Sequence, residues 1–175
     1  MNRASFINSS MIIRFTIVAT LVASFGLASG VQADSHEKDM PLVKYRQTVM
    51  AVVGGNMGAM ADIMKNRLDL PGHVAVHASE IAEIAQLIGP AFKKNVATDA
   101  TDAKPEIWQD WAKFEAAIAD FEKAARNLEA TAAGSDPSAV GPAMKALGKT
   151  CGDCHDAFRK PEEESFKKKA ESDDD

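Results

Sequence analysis

Cysteine is scarce in this 175-residue chain, which has only Cys151 and Cys154, three positions apart. A framework of several disulfides, the usual support of a small exported domain without a large core, is therefore excluded. A surplus of positive charge is missing too, because 20 basic residues face 25 acidic ones and leave a net charge of −5. This balance argues against nucleic-acid binding, which needs a basic surface.

Apolar runs long enough to span a membrane are also missing. The apolar stretch Phe15 to Leu27 is too short to cross a bilayer comfortably as a helix. It follows Arg3 and Arg14 without any acidic residue and precedes the small-x-small sequence Val31-Gln-Ala33. This order is typical of a secretory signal peptide. We therefore predict that residues 1–33 are cleaved, that the mature protein is periplasmic and that no stable membrane span remains; an uncleaved N-terminal anchor is the alternative.

Apolar residues with helical spacing are abundant in the rest of the chain. Four segments repeat them at alternating steps of three and four positions, over residues 43–64, 74–88, 107–128 and 140–158. Four amphipathic helices with mostly short links predict an all-α fold, an antiparallel up-down-up-down four-helix bundle over residues 34–160. The charged residues 161–175 are predicted to be a solvated, disordered tail.

Proline and glycine mark the predicted breaks between these helices. Pro71-Gly72 precedes the second helix, and Gly89-Pro90 is expected to stop or kink it. The connection over residues 89–105 is long for a bundle and is expected to hold a short helical turn. Pro105 suits the first turn of the third helix, and Asp136-Pro137 suits the cap and first position of the fourth.

The two cysteines belong to Cys151-Gly-Asp-Cys154-His155, which matches the Cys-x-x-Cys-His signature of covalent haem c attachment. On a helix, positions i, i+3 and i+4 share one face. Both thiols can therefore reach the two vinyl groups of one porphyrin, while the adjacent imidazole points at the iron. The motif predicts one covalently bound haem c with His155 as proximal axial ligand. Export agrees with this prediction, since bacteria attach haem c after export.

Three alternative roles for the cysteine pair have less support. A thioredoxin-like dithiol needs a preceding strand in an α/β context, which the helical pattern does not supply. A zinc site needs four ligands, and the remaining histidines, His36, His73 and His77, form no second pair at a recognisable spacing. A chance occurrence would leave two unused thiols in an oxidising compartment.

Arg46 interrupts the apolar face of the first helix. A buried guanidinium needs a partner, and a haem propionate offers a bidentate one; the alternative is that Arg46 extends to water near the helix end. Met50 lies one turn from Arg46, so an arginine that holds a propionate places Met50 near the iron. Met57, Met60 and Met64 share this helical face, and adaptable core packing is the ordinary role of such a stripe.

The chain resembles the class II c-type cytochromes, the cytochrome c′ family, over about residues 40–160. The resemblance rests on Lys44-Tyr-Arg-Gln47, on Lys104-Pro-Glu-Ile-Trp108 and on Cys151-Gly-Asp-Cys-His-Asp-Ala-Phe-Arg159. It implies a four-helix bundle with the haem between the helices and His155 as proximal ligand. It also implies that Arg46 and Gln47 contact the haem and that Arg159 lies on its proximal side.

The family has a high-spin branch, five-coordinate and able to bind small gases such as nitric oxide, and a low-spin branch with a methionine as sixth ligand. Met50 matches that ligand position, and Gly54-Gly-Asn-Met-Gly58 and Met144-Lys-Ala-Leu-Gly148 resemble the low-spin branch. We therefore predict an electron-transfer protein with His155 and Met50 as axial ligands. High-spin gas binding is the alternative.

Electron transfer between Fe(III) and Fe(II) implies a redox partner protein that the sequence does not identify. No nucleophile–base pair or carboxylate cluster stands apart from the haem motif, so we do not predict an enzyme. The family resemblance makes a homodimer through the first two helices one of two oligomeric states to consider. Gly54, Gly55 and Gly58 suit either close helix contact or room for the haem.

Overall fold

A computed structural model describes residues 30–166 and Lys168, except residues 97 and 135, with side chains from Asp39 onward. Residues 1–29 of the predicted signal peptide lie outside the described residues. Five helices are described: α1 (Gly30–Asn66), α2 (His73–Phe92), α3 (Glu106–Gln109), α4 (Trp111–Ala132) and α5 (Val140–Phe158). Two short 3-10 turns cover Pro137–Ala139 and Glu162–Glu164.

The four long helices form the predicted four-helix bundle. The helix α2 packs on α1 and α4, and α4 packs on α5. Because the connections after α1 and α4 are short, the helices that they join run antiparallel. Among the described residues, the backbones of α1 and α5 approach each other less than those of the packed helix pairs, although the Met64 side chain of α1 reaches α5 at Gly141. They stand apart because a cavity lies between them.

The core shows why these helices hold together without a disulfide. Met60, Ile81, Leu128 and Leu147, one from each long helix, are completely buried. Burial of one such side chain stabilises the fold by about 1.5–3 kcal/mol. Among the described helices, none combines the length and the apolar character that crossing a membrane would require.

Of the two effects predicted for Gly89-Pro90, a stop or a kink in the second helix, the stop does not occur. Gly89-Pro90 does not stop the helix, which continues to Phe92 with Pro90 inside it. The end of α2 beyond Pro90 is held from α1, where the Arg46 Nε donates a hydrogen bond to the Ala91 carbonyl at 2.8 Å. That bond satisfies a carbonyl that the helix end leaves free. The short helical turn expected within residues 89–105 is not found in the described part of that connection, which has no helix after Phe92.

The predicted third helix is two helices, α3 and α4, separated by Asp110. Pro105 precedes α3 as expected, but the backbone of Asp110 leaves the helical region, with φ −130° and ψ 64°. The Asp110 carboxylate then accepts a hydrogen bond from the Lys113 N–H at 3.2 Å and caps α4. Asp136 caps the 3-10 turn before α5 in the same way, as predicted, through the Ser138 N–H at 2.9 Å.

Asp110→Ala is expected to lower the free energy of unfolding by about 1 kcal/mol, because the N-cap hydrogen bond is lost. Urea unfolding of the haem-loaded protein measures the change. Asp120→Ala is the matched control, since Asp120 is exposed in the middle of α4 and its loss is expected to cost less. Equal effects of the two substitutions would contradict the capping role.

Candidate functional site

The motif Cys151-Gly-Asp-Cys154-His155 lies in the last two turns of α5. Both cysteines are half-buried free thiols, and burial raises the pKa of each. Desolvation by the surrounding protein, together with the positive charge of Arg159, lowers the pKa of the His155 imidazole, although this ring is open to the cavity. The imidazole therefore favours the neutral form, which is the form that binds a metal.

These three side chains line a cavity of about 620 Å³. This volume falls within the range of about 300–1,000 Å³ that is usual for cofactor and small-molecule sites. The wall is largely apolar and is built from several helices. Besides α1 and α5 it includes Ile88 and Phe92 of α2, Ile107 of α3, and Phe114, Ala117, Ile118 and Phe121 of α4.

All seven residues that the sequence predicted for the site line this one cavity: Arg46, Gln47, Met50, Cys151, Cys154, His155 and Arg159. The first three come from α1 and the others from α5 or its end, so the cavity joins residues about a hundred positions apart. Helical spacing places each group on one face of its own helix. Only the packing of the bundle turns the two faces toward each other.

Arg46 does not extend to water, since it is only 3% exposed. Its Nε and Nη2 donate to the carbonyls of Ala91 and Lys94, and its guanidinium carbon lies 4.8 Å from the centre of the Phe92 ring. Its third nitrogen, Nη1, is buried without a hydrogen-bond partner among the described residues. A buried donor without a partner is costly, so an anionic group of a ligand in the cavity fits this position.

Gln47 and Arg159 are both held by the loop between α2 and α3. The Gln47 Nε2 donates to the Ala100 carbonyl at 3.0 Å. The Arg159 Nη2 lies 3.5 Å from the Asp102 carboxylate, while half of the Arg159 side chain remains exposed. Arg159 therefore lines the cavity and is also partly exposed at the surface.

The methionine stripe of α1 divides into different environments. Met50 and Met57 are half-buried and line the cavity, whereas Met60 is completely buried in the core and Met64 is exposed. Only the first two are therefore placed to face a ligand. Gly54 also lines the cavity, and a Cβ at that position would meet no atom within 4 Å. This glycine leaves room in the cavity and does not serve close helix contact within the protomer.

The sequence gives no indication that Asp102 and Phe166 belong to the site. Asp102 lies in the irregular connection before α3, and Phe166 lies beyond the last predicted helix, yet both line the cavity. Phe166 stands in a charged stretch that predicts a solvated end. The cavity aromatics Phe114, Phe121 and Phe158, by contrast, fall on the predicted apolar faces of α4 and α5, so helical periodicity alone places them inside.

Known proteins match the chain over nearly all of this structure. The sequence model of the family described as Cytochrome C′ matches residues 41–159. The chain belongs to the cytochrome c′ family. Cytochrome c′ from Rhodospirillum rubrum is 34% identical over 147 residues, which are 83% of this chain and 97% of that protein. Cytochrome c-556 from Agrobacterium tumefaciens is 34% identical over 115 residues, covering 65% of this chain and 90% of that protein.

A solved structure extends the likeness to three dimensions. The nitric oxide complex of a mutant of cytochrome c prime from Alcaligenes xylosoxidans has a TM-score of 0.65 and is 27% identical, covering 70% of this chain and 96% of that one. The family match confirms the predicted family and its cofactor, one covalently bound haem c. The finer prediction of the low-spin branch does not gain the same support, since the cytochrome c′ family is typically high-spin.

Three independent features of the cavity suit a covalently attached haem. The cavity is apolar and roomy, its α5 wall carries two free thiols and an imidazole at the attachment spacing, and its α1 wall carries a buried guanidinium nitrogen without a partner among the described residues. When bound, the haem supplies an iron atom for ligand binding and for one-electron exchange. The protein supplies attachment, a dry wall and a fixed positive charge.

Proposed function

We propose that this protein is a periplasmic monohaem cytochrome c′ whose iron keeps one coordination position open for a small gas such as nitric oxide. In this proposal Cys151 and Cys154 form the thioethers and His155 is the proximal ligand. Arg46, Gln47 and Arg159 contact the haem, with Arg46 nearest to a propionate. The observation that carries the proposal is the single cavity that brings the attachment motif of α5 against an apolar wall.

Gas binding is supported by the chemistry of that wall and by the solved relative. A small uncharged diatomic molecule needs space and an apolar surface more than it needs charged partners. The Alcaligenes structure, with its TM-score of 0.65, holds nitric oxide. Gly54 adds open space on the α1 side of the cavity, because no atom lies within 4 Å of the position of a Cβ there.

Electron transfer with His155 and Met50 as axial ligands is the second candidate, and it is the function that the sequence favoured. Two observations support it. Met50 lines the cavity from α1, and the cytochrome c-556 from Agrobacterium is 34% identical to this chain, the same identity as the cytochrome c′ from Rhodospirillum. A thioether ligand favours Fe(II) and raises the reduction potential, which suits a carrier. The typical high-spin character of the family favours the gas-binding proposal over this one.

The optical spectrum of the purified oxidised protein separates the two candidates. We expect a high-spin spectrum and ready binding of carbon monoxide by the reduced protein. Met50→Ala is expected to leave the spin state unchanged and to speed gas binding, because a smaller side chain obstructs the cavity less.

Met57→Ala is the matched control, since Met57 lines the same cavity about two turns further along α1. A low-spin spectrum with a sulfur-to-iron charge-transfer band that Met50→Ala abolishes, but Met57→Ala does not, would assign the protein to electron transfer.

The remaining features of the proposal concern export and assembly. We propose that residues 1–33 are removed as a signal peptide, which is supported by their charge and apolar order. A redox partner protein belongs to the electron-transfer candidate alone. A homodimer through α1 and α2 stays a prediction; exposed apolar side chains on these helices, Tyr45 and Val52 on one and Val76 and Leu87 on the other, support it.

A further inference from the structure

The chain does not leave the domain when α5 ends. After Arg159 it turns back, passes through the 3-10 turn Glu162–Glu164 and brings Ser165 to 5% exposure. Phe166 follows, half-buried, and lines the same cavity as His155 and Arg159. We call residues 161–166 the C-terminal strap. The sequence predicts a frayed end here, but Ser165 is buried and Phe166 lines the cavity, while residues 161–164 are exposed.

One carboxylate holds the strap in place. The Phe166 N–H donates to Asp102 Oδ1 at 2.9 Å, and the Ser165 hydroxyl donates to Asp102 Oδ2 at 3.0 Å. The Arg159 Nη2 reaches the same Oδ2 at 3.5 Å. A carboxylate has about four acceptor positions, so it can serve these three donors at once. The Asp102 side chain is only 13% exposed, which keeps water from competing for them.

The backbone around Asp102 strengthens this attachment. The Lys160 N–H donates to the Asp102 carbonyl at 2.7 Å, and the Lys160 Nζ donates to the Thr101 carbonyl at 2.9 Å. The Lys104 N–H donates to the Phe158 carbonyl at 2.9 Å. Hydrogen bonds therefore hold the chain at Lys160, just before the strap, and again at Phe166, so Phe166 has little freedom to leave the cavity.

The strap lies outside the region that defines the family, since the match ends at residue 159. A phenylalanine among charged residues is hard to account for in a solvated tail, because exposure of an aromatic ring is unfavourable. Its presence makes sense if the ring covers a flat apolar ligand. Among the residues of the strap, only Phe166 lines the cavity.

We propose that Phe166 is a haem-contacting residue in this protein and that Asp102 is the positioning residue that pins it there. The ring shields from water the part of the cavity that Asp102 and Arg159 line. The attachment of the strap then controls how strongly that part of the haem is shielded. This inference requires the haem in the cavity but holds for either coordination state of the iron.

Three variants of the haem-loaded protein test the proposal. Phe166→Leu keeps an apolar side chain but removes the aromatic ring, Asp102→Ala removes the attachment, and Tyr45→Leu removes an exposed aromatic ring of α1 that does not line the cavity. The two readouts are circular dichroism in the Soret band, which depends on aromatic rings next to the haem, and hydrogen exchange at the amide of residue 166.

Phe166→Leu is expected to change the Soret dichroism while the amide of residue 166 stays protected, because the bond to Asp102 comes from the backbone. Asp102→Ala is expected to change the dichroism and to speed exchange of the Phe166 amide about tenfold or more. Tyr45→Leu is expected to change neither.

A Soret dichroism that is the same in Phe166→Leu and wild type would overturn the contact with the haem. Unchanged amide exchange in Asp102→Ala would overturn the positioning role. Haem staining on a denaturing gel confirms that each variant carries its cofactor, so loss of the haem cannot imitate either result.

Discussion

Replacement of both Cys151 and Cys154 by alanine is expected to abolish covalent haem attachment completely. The chain has no other cysteine, so no second thioether can form. Haem staining of the exported protein on a denaturing gel measures the result directly, because only covalently bound haem survives denaturation. We expect a strong band from wild type and none from the double variant.

The single variants make this test sharper. Cys151→Ala and Cys154→Ala each keep one half-buried thiol on the cavity wall, so each is expected to retain a weaker band. Lys149→Ala is the control, because Lys149 lies in the same helix and is exposed, with an ion pair to Asp153 at the surface. A stained band from the double variant would contradict the assignment of this motif as the attachment site.

Loss of the haem is also expected to destabilise the fold. The cavity of about 620 Å³ lies between the walls that α1 and α5 contribute, so the haem occupies space between these two helices. Without the cofactor, half-buried apolar side chains of the cavity wall such as Met50 and Met57 face water in place of a ligand. A ligand that binds only the folded state stabilises it, and its removal reverses this effect. A lower melting temperature of the double variant is the expected result.

Arg46→Ala is expected to lower the free energy of unfolding by about 2 kcal/mol or more, because it leaves one buried and one partly buried carbonyl without a donor, at about 1–3 kcal/mol for a carbonyl that stays buried. The carbonyls belong to Ala91 and Lys94 at the end of α2. The stacking of the guanidinium over Phe92 and Trp108 is lost as well. Urea unfolding of the haem-loaded protein measures the loss.

Arg46→Lys is expected to recover little of this stability. An ammonium group is a point charge without the planar fork that serves two carbonyls and stacks on an aromatic ring. Lys44→Ala is the matched control, since it removes a positive charge two positions away on the exposed face of α1. If Arg46→Ala and Lys44→Ala had equal effects, the assignment of Arg46 as the residue that secures α2 would be wrong.

The proposed contact between Arg46 and a propionate can be tested by the same unfolding measurement. The buried Arg46 Nη1 has no partner among the described residues, so part of the cost of Arg46→Ala is expected only when haem is present. Measured in the Cys151→Ala, Cys154→Ala background, the loss should then be smaller than in the haem-loaded protein. An equal loss in both backgrounds would leave Arg46 as a structural cap of α2 alone.

Local patterns in the sequence determined the four amphipathic helices and the attachment motif. The spacing of Cys151, Cys154 and His155 places them on one face of any helix, whatever the helix packs against. The apolar periods of α1, α2, α4 and α5 likewise predict their inner faces, and Asp136-Pro137 predicts the start of the last one. These features depend on residues within a few positions of one another, which is why the sequence was sufficient.

The tertiary structure decided the features that join distant parts of the chain. Arg46 holds the end of α2 from 45 positions away, and Asp102 holds Phe166 from 64 positions away. No periodicity predicts such contacts, because they depend on which carbonyls and amide groups the packed helices bring within about 3 Å. The sequence by itself thus determined the attachment motif and the helix that carries it, and only the packed bundle decided which residues surround the cavity.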